Sequence, residues 1–454
     1  MIKEKLAKEV DELFKQWDKA DSPGCALAII KDGKIIYKKG YGMANLEYDI
    51  PITPQTIFHV ASVSKQFTAF SILLLEQEGK LSLKDEIQSY LSYLPHFGKK
   101  ITIQHLLNHT SGLRDQWALL RIAGWRMDDV ITQSDILNIV KRQKELNFKP
   151  GSEFLYSNTG YTLLAEIVAA ISGMKFTDFT NLKIFKPLEM EQTHFHLDHQ
   201  QIVKNRAYSY GFNSKGKIAK NILSYANVGA TSLFTTVEDM AKWDKNFYTG
   251  KVGGMDVLKK MVQKGVLNDG KEIEYANGLI INKYKGLLTI GHDGGDAGFR
   301  TDFFRFPNQQ ITIICFSNFA GLRAVIISKK VADIILEKKL GKTPKEKIFH
   351  NRFLPTVILP IKNQKKKVSH EKLLEFTGKY FSNELLRLCE FDIKKDKLIF
   401  ISPRGISSKL RYFDNDVFRN FHQIIKFKRD EQNDVKSFRI SEARVKNLKF
   451  ERML

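Results

Sequence analysis

A chain of 454 residues has room for two or three domains, and a hydrophobic content of 43% is enough for a large core. The formal net charge is +22, and residues 341–454 alone hold 27 Lys and Arg against 14 Asp and Glu. Such an excess predicts either lysine-rich solvated faces or affinity for an anionic polymer. The sequence has neither a zinc-finger spacing nor an aromatic RNA-binding strand, so we expect no nucleic-acid partner.

The N-terminal segment predicts an amphipathic helix and no export signal. Apolar side chains share one side of that helix: Leu6, Val10, Leu13, Phe14 and Trp17. The segment lacks the apolar core and small-residue cleavage site of a signal peptide. The longest apolar runs, such as SILLL and ITIICF, are too short to cross a membrane. We therefore expect a cytoplasmic protein without a transmembrane segment.

The order of strands and helices predicts an α+β fold. Two alternating runs, CALAII and KIIYKKGYG, flank Asp32-Gly33, a strong hairpin signal. A helix follows at about 62–78, and the chain stays mainly helical to about residue 285. Three strand-like runs (GLLTIGHDG, FRTDFFRFP and QQITIICFSN) and a helix at about 323–340 end this part. We expect one antiparallel sheet assembled from both ends, flanked by helices and carrying an inserted helical subdomain.

The last quarter of the chain predicts a second domain. Prolines and lysines at 344–368 indicate a linker. From 369 to 454 short strand-like runs alternate with polar turns, which predicts a small all-β antiparallel barrel. The first domain would then be 1–343. Three roles are open for the basic barrel: shaping the substrate entrance, binding an anionic cell-wall polymer, or stabilising the fold.

Cysteine and histidine spacing predicts neither a disulfide framework nor a metal site. The cysteines lie far apart and are expected to be packed free thiols: Cys25, Cys315 and Cys389. A histidine cluster lacks a Cys, Asp or Glu partner at metal-ligand spacing: His194, His196 and His199.

Ser62 and Lys65, in HVASVSKQF, lie three residues apart at the start of an apolar helix. Residues at i and i+3 share a helix face, and the free N–H groups of a helix start favour developing negative charge. A desolvated lysine can accept the proton of a serine nucleophile. Alone, the Ser-x-x-Lys pair is weak, because it is common by chance.

Two further stretches offer partners for such a serine. In FLYSNTGY, Tyr156 can pass protons and the Asn158 amide can hold a lysine, although the same residues suit a helix N-cap beside a core tyrosine. In TIGHDGGDAGFR, Gly294 and Gly295 leave room for a substrate backbone. The N–H of Gly295 can pair with that of Ser62 as an oxyanion hole, unless this is only a glycine-rich turn.

Together and in this order, Ser-x-x-Lys, Tyr-x-Asn and His-Asp-Gly resemble the motifs of the serine β-lactamase and penicillin-binding protein group. The tyrosine form is similar to the class C β-lactamase, D-aminopeptidase and carboxylesterase branch. PGCALAIIKDGKIIYKKGYGMAN and ITIQHLLNHTSGL resemble the family's opening hairpin and connecting segment, so the resemblance spans about residues 10–340. LLEFTGKYFSNELL is similar to the lipocalin-like barrel that follows the catalytic domain in many such proteins.

The resemblance implies a role for each motif residue. The implied catalytic residues are Ser62 (acylated nucleophile), Lys65 (base or electrostatic partner) and Tyr156 (proton shuttle). The implied substrate-binding residues are Asn158, His292, Gly294, Gly295 and Arg300. His292 stands where the family has a lysine that helps to anchor a substrate carboxylate. Because histidine is mostly neutral at pH 7, penicillin hydrolysis is disfavoured, and Arg300 is the candidate for supplying the missing charge.

These roles predict a serine hydrolase that cleaves a peptide or amide with a D-amino acid, or a small ester, through an acyl-enzyme on Ser62. The alternatives are a true β-lactamase and a non-catalytic penicillin-binding or sensor protein on the same fold. No cofactor is implied, because the nucleophile, base and oxyanion donors are all protein groups. The family mostly works outside the cytoplasm, which sets the resemblance against the missing export signal. The sequence leaves the oligomeric state open.

Overall fold

The computed structural model describes residues 2–337, 340–341 and 368–453. The predicted linker at 344–368 therefore lies, except for Val368, outside the described residues. Among the described helices, none is long and apolar enough to cross a membrane.

The chain opens with one helix and a hairpin: α1 (Glu4–Glu12), β1 (Cys25–Lys31) and β2 (Lys34–Tyr41). Asp32 and Gly33 join the strands with φ of +50° and +70°. A two-residue hairpin turn with both residues at positive φ matches the twist of the strands, and glycine and aspartate tolerate that conformation. The predicted hairpin is confirmed.

The middle of the chain is mainly helical, with short strands. Its strands are β3 (Met43–Asn45), β4 (Ile50–Pro51), β5 (Phe58–His59), β6 (Ile131–Thr132), β7 (His194–Phe195), β8 (Tyr210–Phe212), β9 (Ile218–Lys220), β10 (Tyr225–Ala226) and β11 (Leu233–Thr235). Its helices are α2 (Lys65–Gln77), α3 (Ile103–Leu107), α4 (Gln116–Ile122), α5 (Gln133–Val140), α6 (Asn158–Ser172), α7 (Phe176–Thr180), α8 (Val237–Thr249) and α9 (Gly254–Met261). Tighter 3-10 turns span Ala61–Ser64 and Ile87–Ser89, and a π-helical turn spans Asn181–Phe185.

Four later strands complete the main sheet: β12 (Ile280–Tyr284), β13 (Leu287–Asp296), β14 (Phe299–Phe306) and β15 (Ile311–Ser317). A 3-10 turn (Pro307–Gln309) precedes β15, and α10 (Ala324–Leu336) follows it. The order β12-β13-β14-β15-β1-β2 is antiparallel throughout. Alternate residues of β1 enter two cores: Ala26 and Ala28 join the core shared with α2, whereas Leu27 and Ile29 join the core shared with α1 and α10. The predicted sheet, assembled from both ends around a helical insertion, is confirmed.

The C-terminal part is a nearly closed antiparallel barrel of nine strands. After α11 (His370–Leu374) come β16 (Gly378–Ser382), β17 (Arg387–Ile393), β18 (Leu398–Ile401), β19 (Ser407–Lys409), β20 (Arg411–Asp414), β21 (Val417–Arg419), β22 (Gln423–Arg429), β23 (Val435–Glu442) and β24 (Val445–Arg452). Aromatic side chains fill it: Phe376, Tyr380, Phe391, Phe427 and Phe438 lie within 6.0 Å of one another, ring to ring, in successive pairs. The predicted barrel is confirmed, while the domain limits of 1–343 and 369–454 stay predictions.

Charged side chains dock the barrel onto the helical region. Arg114, whose side chain is completely buried, lies 2.7 Å from Glu384 of the barrel and also donates to two barrel carbonyls. Breaking one partner of such a buried pair typically costs about 3–5 kcal/mol of stability. Further pairs join the same two parts: Arg121–Glu442, Arg404–Asp129, Arg439–Glu145 and Lys446–Glu153. Part of the barrel's excess positive charge is therefore matched by carboxylates of the first part.

Candidate active site

Ser62 lies in the 3-10 turn Ala61–Ser64 that leads into α2. The sequence predicted one helix from about residue 62, whereas α2 begins at Lys65. Ala61 has a φ of +47°, and its N–H donates to His59 Nδ1 at 3.2 Å, which holds the turn. Because α2 is buried from its first residue to Leu75, it carries Lys65 into the core.

Lys65 is fully buried and makes three hydrogen bonds. Its Nζ lies 3.1 Å from Ser62 Oγ, 2.9 Å from Asn158 Oδ1 and 2.6 Å from the carbonyl oxygen of Ala230. Burial lowers the pKa of Lys65 to about 7, against the opposing effect of the Asp296 carboxylate. A lysine amine with this pKa is about half neutral at pH 7, whereas an ordinary lysine is almost wholly charged.

Asn158 is oriented by Asp115. The N–H and the Nδ2 of Asn158, the first residue of α6, donate to Asp115 Oδ2 at 2.8 and 2.9 Å. Asp115 also caps α4, where its Oδ1 accepts from the N–H groups of Trp117 and Ala118. Because the carboxylate fixes Nδ2, Oδ1 of Asn158 faces Lys65. Ser157 occupies the N-cap of α6 but makes no capping bond with its side chain.

Tyr156 packs against both Ser62 and Lys65. Its ring centroid is 4.9 Å from Lys65 Nζ, and its phenol has the Ser62 hydroxyl as a hydrogen-bond partner. Burial raises the pKa of Tyr156 well above its usual range, although the bond to Ser62 and the charge of Arg444 lower it. The phenol is therefore neutral at pH 7.

His109 holds the loop that carries Tyr156. Its carbonyl accepts the Leu155 N–H at 3.0 Å, and its Nδ1 accepts the Ser157 N–H at 3.1 Å. Its ring centroid lies 4.2 Å from that of Tyr156. Burial lowers the pKa of His109 well below its usual range, so the ring is an uncharged support for the loop.

His292 is also neutral. Its Nδ1 lies 2.6 Å from the carbonyl oxygen of Asp293, which only accepts, so Nδ1 carries the proton. Nε2 then accepts from the Tyr275 hydroxyl at 3.1 Å. Burial, assisted by the charge of Lys65, lowers the pKa of His292 to about 3. The histidine therefore brings no positive charge to the place where a lysine was expected from the resemblance.

Gly294 lets β13 touch the 3-10 turn Ala61–Ser64, the nucleophile turn, which carries Ser62. A Cβ there would lie 2.5 Å from the carbonyl oxygen of Val60 and 3.0 Å from Ala61 Cβ, so a larger residue would force the strand away. Thr301 of β14 strengthens this contact by donating to the same Val60 carbonyl at 2.9 Å. Gly295 follows and is exposed, which leaves its backbone accessible beside the turn.

Two carboxylates, Asp293 and Asp296, follow His292 on β13. Burial raises the pKa of Asp293 and of Asp296 to about 6. The Thr231 hydroxyl donates to Asp296 and opposes that rise. At pH 7 both carboxylates are therefore mostly charged and act on Lys65.

Arg300 folds back onto its own turn. Its Nη1 donates to the carbonyls of Ala297 and Phe299, at 3.0 and 2.7 Å. Its charge also faces Asp296. The predicted role of Arg300 in binding a substrate carboxylate stays a prediction.

The structure thus joins Ser62, Lys65, Tyr156 and Asn158 through direct contacts and sets Gly294 against the nucleophile turn. Sequence reasoning missed Asp115, whose signal was an acidic N-cap before the apolar helical run QWALLRI. It also missed the Ala230 carbonyl and Arg444, for which no local pattern exists. Among the described residues, no cluster of His, Cys, Asp or Glu could hold a metal ion, and the three cysteines are free and buried.

The architecture and the site define a class. A six-stranded antiparallel sheet with flanking helices is the β-lactamase/transpeptidase-like fold, followed here by the nine-stranded barrel. The family model described as Beta-lactamase matches residues 10–332, most of the chain. The protein therefore belongs to the β-lactamase family.

Two similar proteins are named as a penicillin-binding protein and a D-aminopeptidase. Penicillin-binding protein 4* of Bacillus subtilis (strain 168) is 30% identical over 338 residues, which cover 70% of this chain and 73% of that protein. A D-aminopeptidase of Brucella anthropi is 26% identical over 304 residues, 66% of this chain. The match spans only 56% of the aminopeptidase.

Solved structures support the same fold. The octameric penicillin-binding protein homologue from Pyrococcus abyssi has a TM-score of 0.66 at 23% identity, over 98% of this chain and 99% of that chain. The D-amino acid amidase from Ochrobactrum anthropi SV3, complexed with D-phenylalanine, has a TM-score of 0.62 at 22% identity, over 74% of this chain and 100% of that chain. The first match includes the barrel, because it extends over nearly all of this chain.

Proposed function

We propose that the protein is a serine hydrolase that forms a covalent acyl-enzyme on Ser62. The observation that carries the proposal is the surroundings of the Lys65 amine. Two of its partners, Asn158 Oδ1 and the Ala230 carbonyl, can only accept hydrogen bonds. A neutral Lys65 spends its two N–H groups on them, which leaves its lone pair towards Ser62 Oγ at 3.1 Å.

The pKa values favour Lys65 over Tyr156 as the base. The Lys65 amine has a pKa of about 7 and is available as a base at neutral pH. The pKa of the Tyr156 phenol lies well above its usual range, so phenolate is scarce at that pH. Tyr156 then serves as a donor that passes a proton to the leaving group.

In acylation, Ser62 gives its proton to Lys65 while Oγ bonds to the substrate carbonyl carbon. The N–H groups of Ser62 and Gly295 hold the resulting oxyanion. As the bond to the leaving group breaks, Tyr156 protonates that group and regains a proton from the Lys65 ammonium. In deacylation, water gives a proton to Lys65 and attacks the acyl carbon. Ser62 Oγ leaves and takes that proton back, which restores the starting state.

We propose a peptide or amide containing a D-amino acid, or a small ester, as the substrate. The names of two similar proteins, a D-aminopeptidase and a D-amino acid amidase, support this class. The neutral state of His292 supports it over penicillin hydrolysis, because no cation at that position would anchor the carboxylate of the drug.

The test is intact-mass spectrometry after incubation with a fluorophosphonate probe and, separately, with a penicillin. Ser62→Ala removes the nucleophile, and Ser89→Ala is the matched control at an exposed serine. We expect a probe adduct on the wild type and on Ser89→Ala, and none on Ser62→Ala. We also expect hydrolysis of D-amino-acid p-nitroanilides, compared with their L-enantiomers and with p-nitrophenyl acetate.

Other outcomes select other functions. Catalytic turnover of the penicillin would favour a true β-lactamase. Probe labelling with ester hydrolysis alone would narrow the proposal to an esterase. No adduct from either reagent on folded protein would contradict the hydrolase and favour the non-catalytic sensor.

A further inference from the structure

The turn between the last two barrel strands contacts Tyr156 and Asp115 of the proposed active site. This turn, Ala443–Arg444, joins β23 to β24. The guanidinium carbon of Arg444 lies 4.9 Å from the ring centroid of Tyr156. One guanidinium nitrogen is 3.5 Å from Oδ2 of Asp115, the carboxylate oxygen that orients Asn158. The Arg444 side chain is only 18% exposed, so its charge is directed into the protein.

The backbone of this turn is fixed by contacts that do not involve the guanidinium. The carbonyl of Arg444 accepts from Asn147 Nδ2 at 2.9 Å, and the N–H of Lys446 donates to Asn147 Oδ1 at 2.7 Å. On the other side, Arg121 pairs with Glu442 at 2.5 Å. Replacing the Arg444 side chain should therefore leave the turn in place.

We propose that Arg444 is a positioning residue of the active site, so that the barrel completes the catalytic group by supplying a fixed positive charge beside Tyr156 and Asp115. The inference rests on the proposed serine hydrolase function. Arginine suits this position because its guanidinium stays charged at every working pH and stacks on aromatic faces.

The charge of Arg444 acts on both titrating groups in the same direction. Burial is the main cause of the low pKa of Lys65, and Arg444 lowers it further. Burial raises the pKa of Tyr156, and Arg444 opposes that rise. Removing the charge should therefore raise both pKa values and leave less neutral Lys65 at pH 7.

Several other elements contribute charged or titratable groups around Lys65 and Tyr156. They are Asp115 at the start of α4, His109 after α3, Tyr161 on α6, Tyr275 before β12, and His292, Asp293 and Asp296 on β13. The two histidines are neutral, and the three carboxylates raise the pKa of Lys65. Arg444 is a cation that opposes them, because its charge lowers the pKa of Lys65.

The test measures the fluorophosphonate labelling rate of Ser62 in the full-length protein from pH 5.5 to 10. The variants are Arg444→Gln, Arg444→Lys and the matched control Arg404→Gln, which removes a cation from the same interface at its pair with Asp129. For Arg444→Gln we expect the midpoint of the labelling profile to rise by about 0.5–1 pH unit. Labelling at pH 7 should fall about 2- to 5-fold, because the neutral fraction of Lys65 drops from about one half to between about one quarter and one tenth, with the plateau at high pH largely retained.

The controls separate a charge effect from a structural one. Arg444→Lys should restore most of the wild-type midpoint, and Arg404→Gln should not move it. An unchanged midpoint in Arg444→Gln would overturn the inference while leaving the hydrolase proposal intact. An equal fall at every pH in both Arg444 variants, with a lower Tm, would also overturn it, because the turn would then be only structural. No labelling of the wild type would overturn the proposed function and the inference with it.

Discussion

Lys65 provides the sharpest test of the catalytic proposal, because its acid–base state sets how fast Ser62 can be acylated. With a pKa of about 7, the amine is about 9% neutral at pH 6 and about 91% neutral at pH 8. The labelling rate of Ser62 should therefore rise about tenfold between these pH values and then level off. With an ordinary lysine pKa of about 10.4, the rate would instead keep rising about tenfold per unit through pH 9.

Asp296→Asn perturbs this profile in a direction opposite to the loss of Arg444. The Asp296 carboxylate, charged above its own pKa of about 6, raises the pKa of Lys65. Asparagine keeps an acceptor for the Thr231 hydroxyl but removes the charge. The midpoint should move to lower pH by about half a unit to one unit, or about 0.7–1.4 kcal/mol.

The assay is the second-order labelling rate of Ser62 by a fluorophosphonate, measured at half-unit steps of pH. The matched control is Asp269→Asn, which neutralises an exposed carboxylate in the loop before β12. Its midpoint should equal that of the wild type. A wild-type midpoint near pH 10, or a midpoint that rises in Asp296→Asn, would refute the assignment of Lys65 as the base.

Three further changes and one control test the packing and charge around the site. Gly294→Ala should cost about 1–3 kcal/mol of stability and at least tenfold in labelling, since its Cβ would lie 2.5 Å from a backbone carbonyl. The control is Gly295→Ala, because its added Cβ would lie 3.6 Å from the nearest atom, an Arg300 nitrogen. This variant should keep the wild-type Tm when both are measured by calorimetry. Burial raises the pKa of Asp302 to about 8, so its protonated form contributes stability that is full below about pH 4 and lost as pH rises through 8. The Tm of Asp302→Asn should therefore rise relative to that of the wild type between pH 5 and 8, by about 2–4 °C for each kcal/mol of stability that the wild type loses. A difference in Tm that stays constant over this pH range would contradict this. Arg300→Gln should raise KM for substrates with a carboxylate by about 3-fold or more, whereas an equal effect on neutral esters would count against its role.

Local patterns were enough to predict much of the fold. The Asp32-Gly33 turn, the three late strands and the barrel strands follow from alternation and turn chemistry, which act over a few residues. The start of α2 was less predictable. The tight turn before Lys65 depends on His59 and on the approach of Gly294 from a strand more than two hundred residues later.

The motif residues could be found from sequence, but their protonation states could not. That of Lys65 depends on burial and on acceptors from α6 and from the Ala230 carbonyl, none of which is near it in the chain. Every residue type carries a backbone carbonyl, so the identity of Ala230 does not indicate that its carbonyl contacts Lys65. Asp115 reads locally as a helix cap, and only the folded chain shows that its second oxygen orients Asn158.

Two sets of cations on the barrel have different consequences. One set faces the first part of the chain and is paired with carboxylates: Arg404, Arg439, Arg444 and Lys446. The other set is exposed and includes Lys426, Lys428 and Lys436 on β22 and β23. Because a cation already paired with a buried or half-buried carboxylate has little attraction left for a polymer, binding of an anionic cell-wall polymer, which stays a prediction, would have to come from the exposed set. Catalysis and polymer binding would then depend on separate residues of one small barrel, so that either property could change without the other.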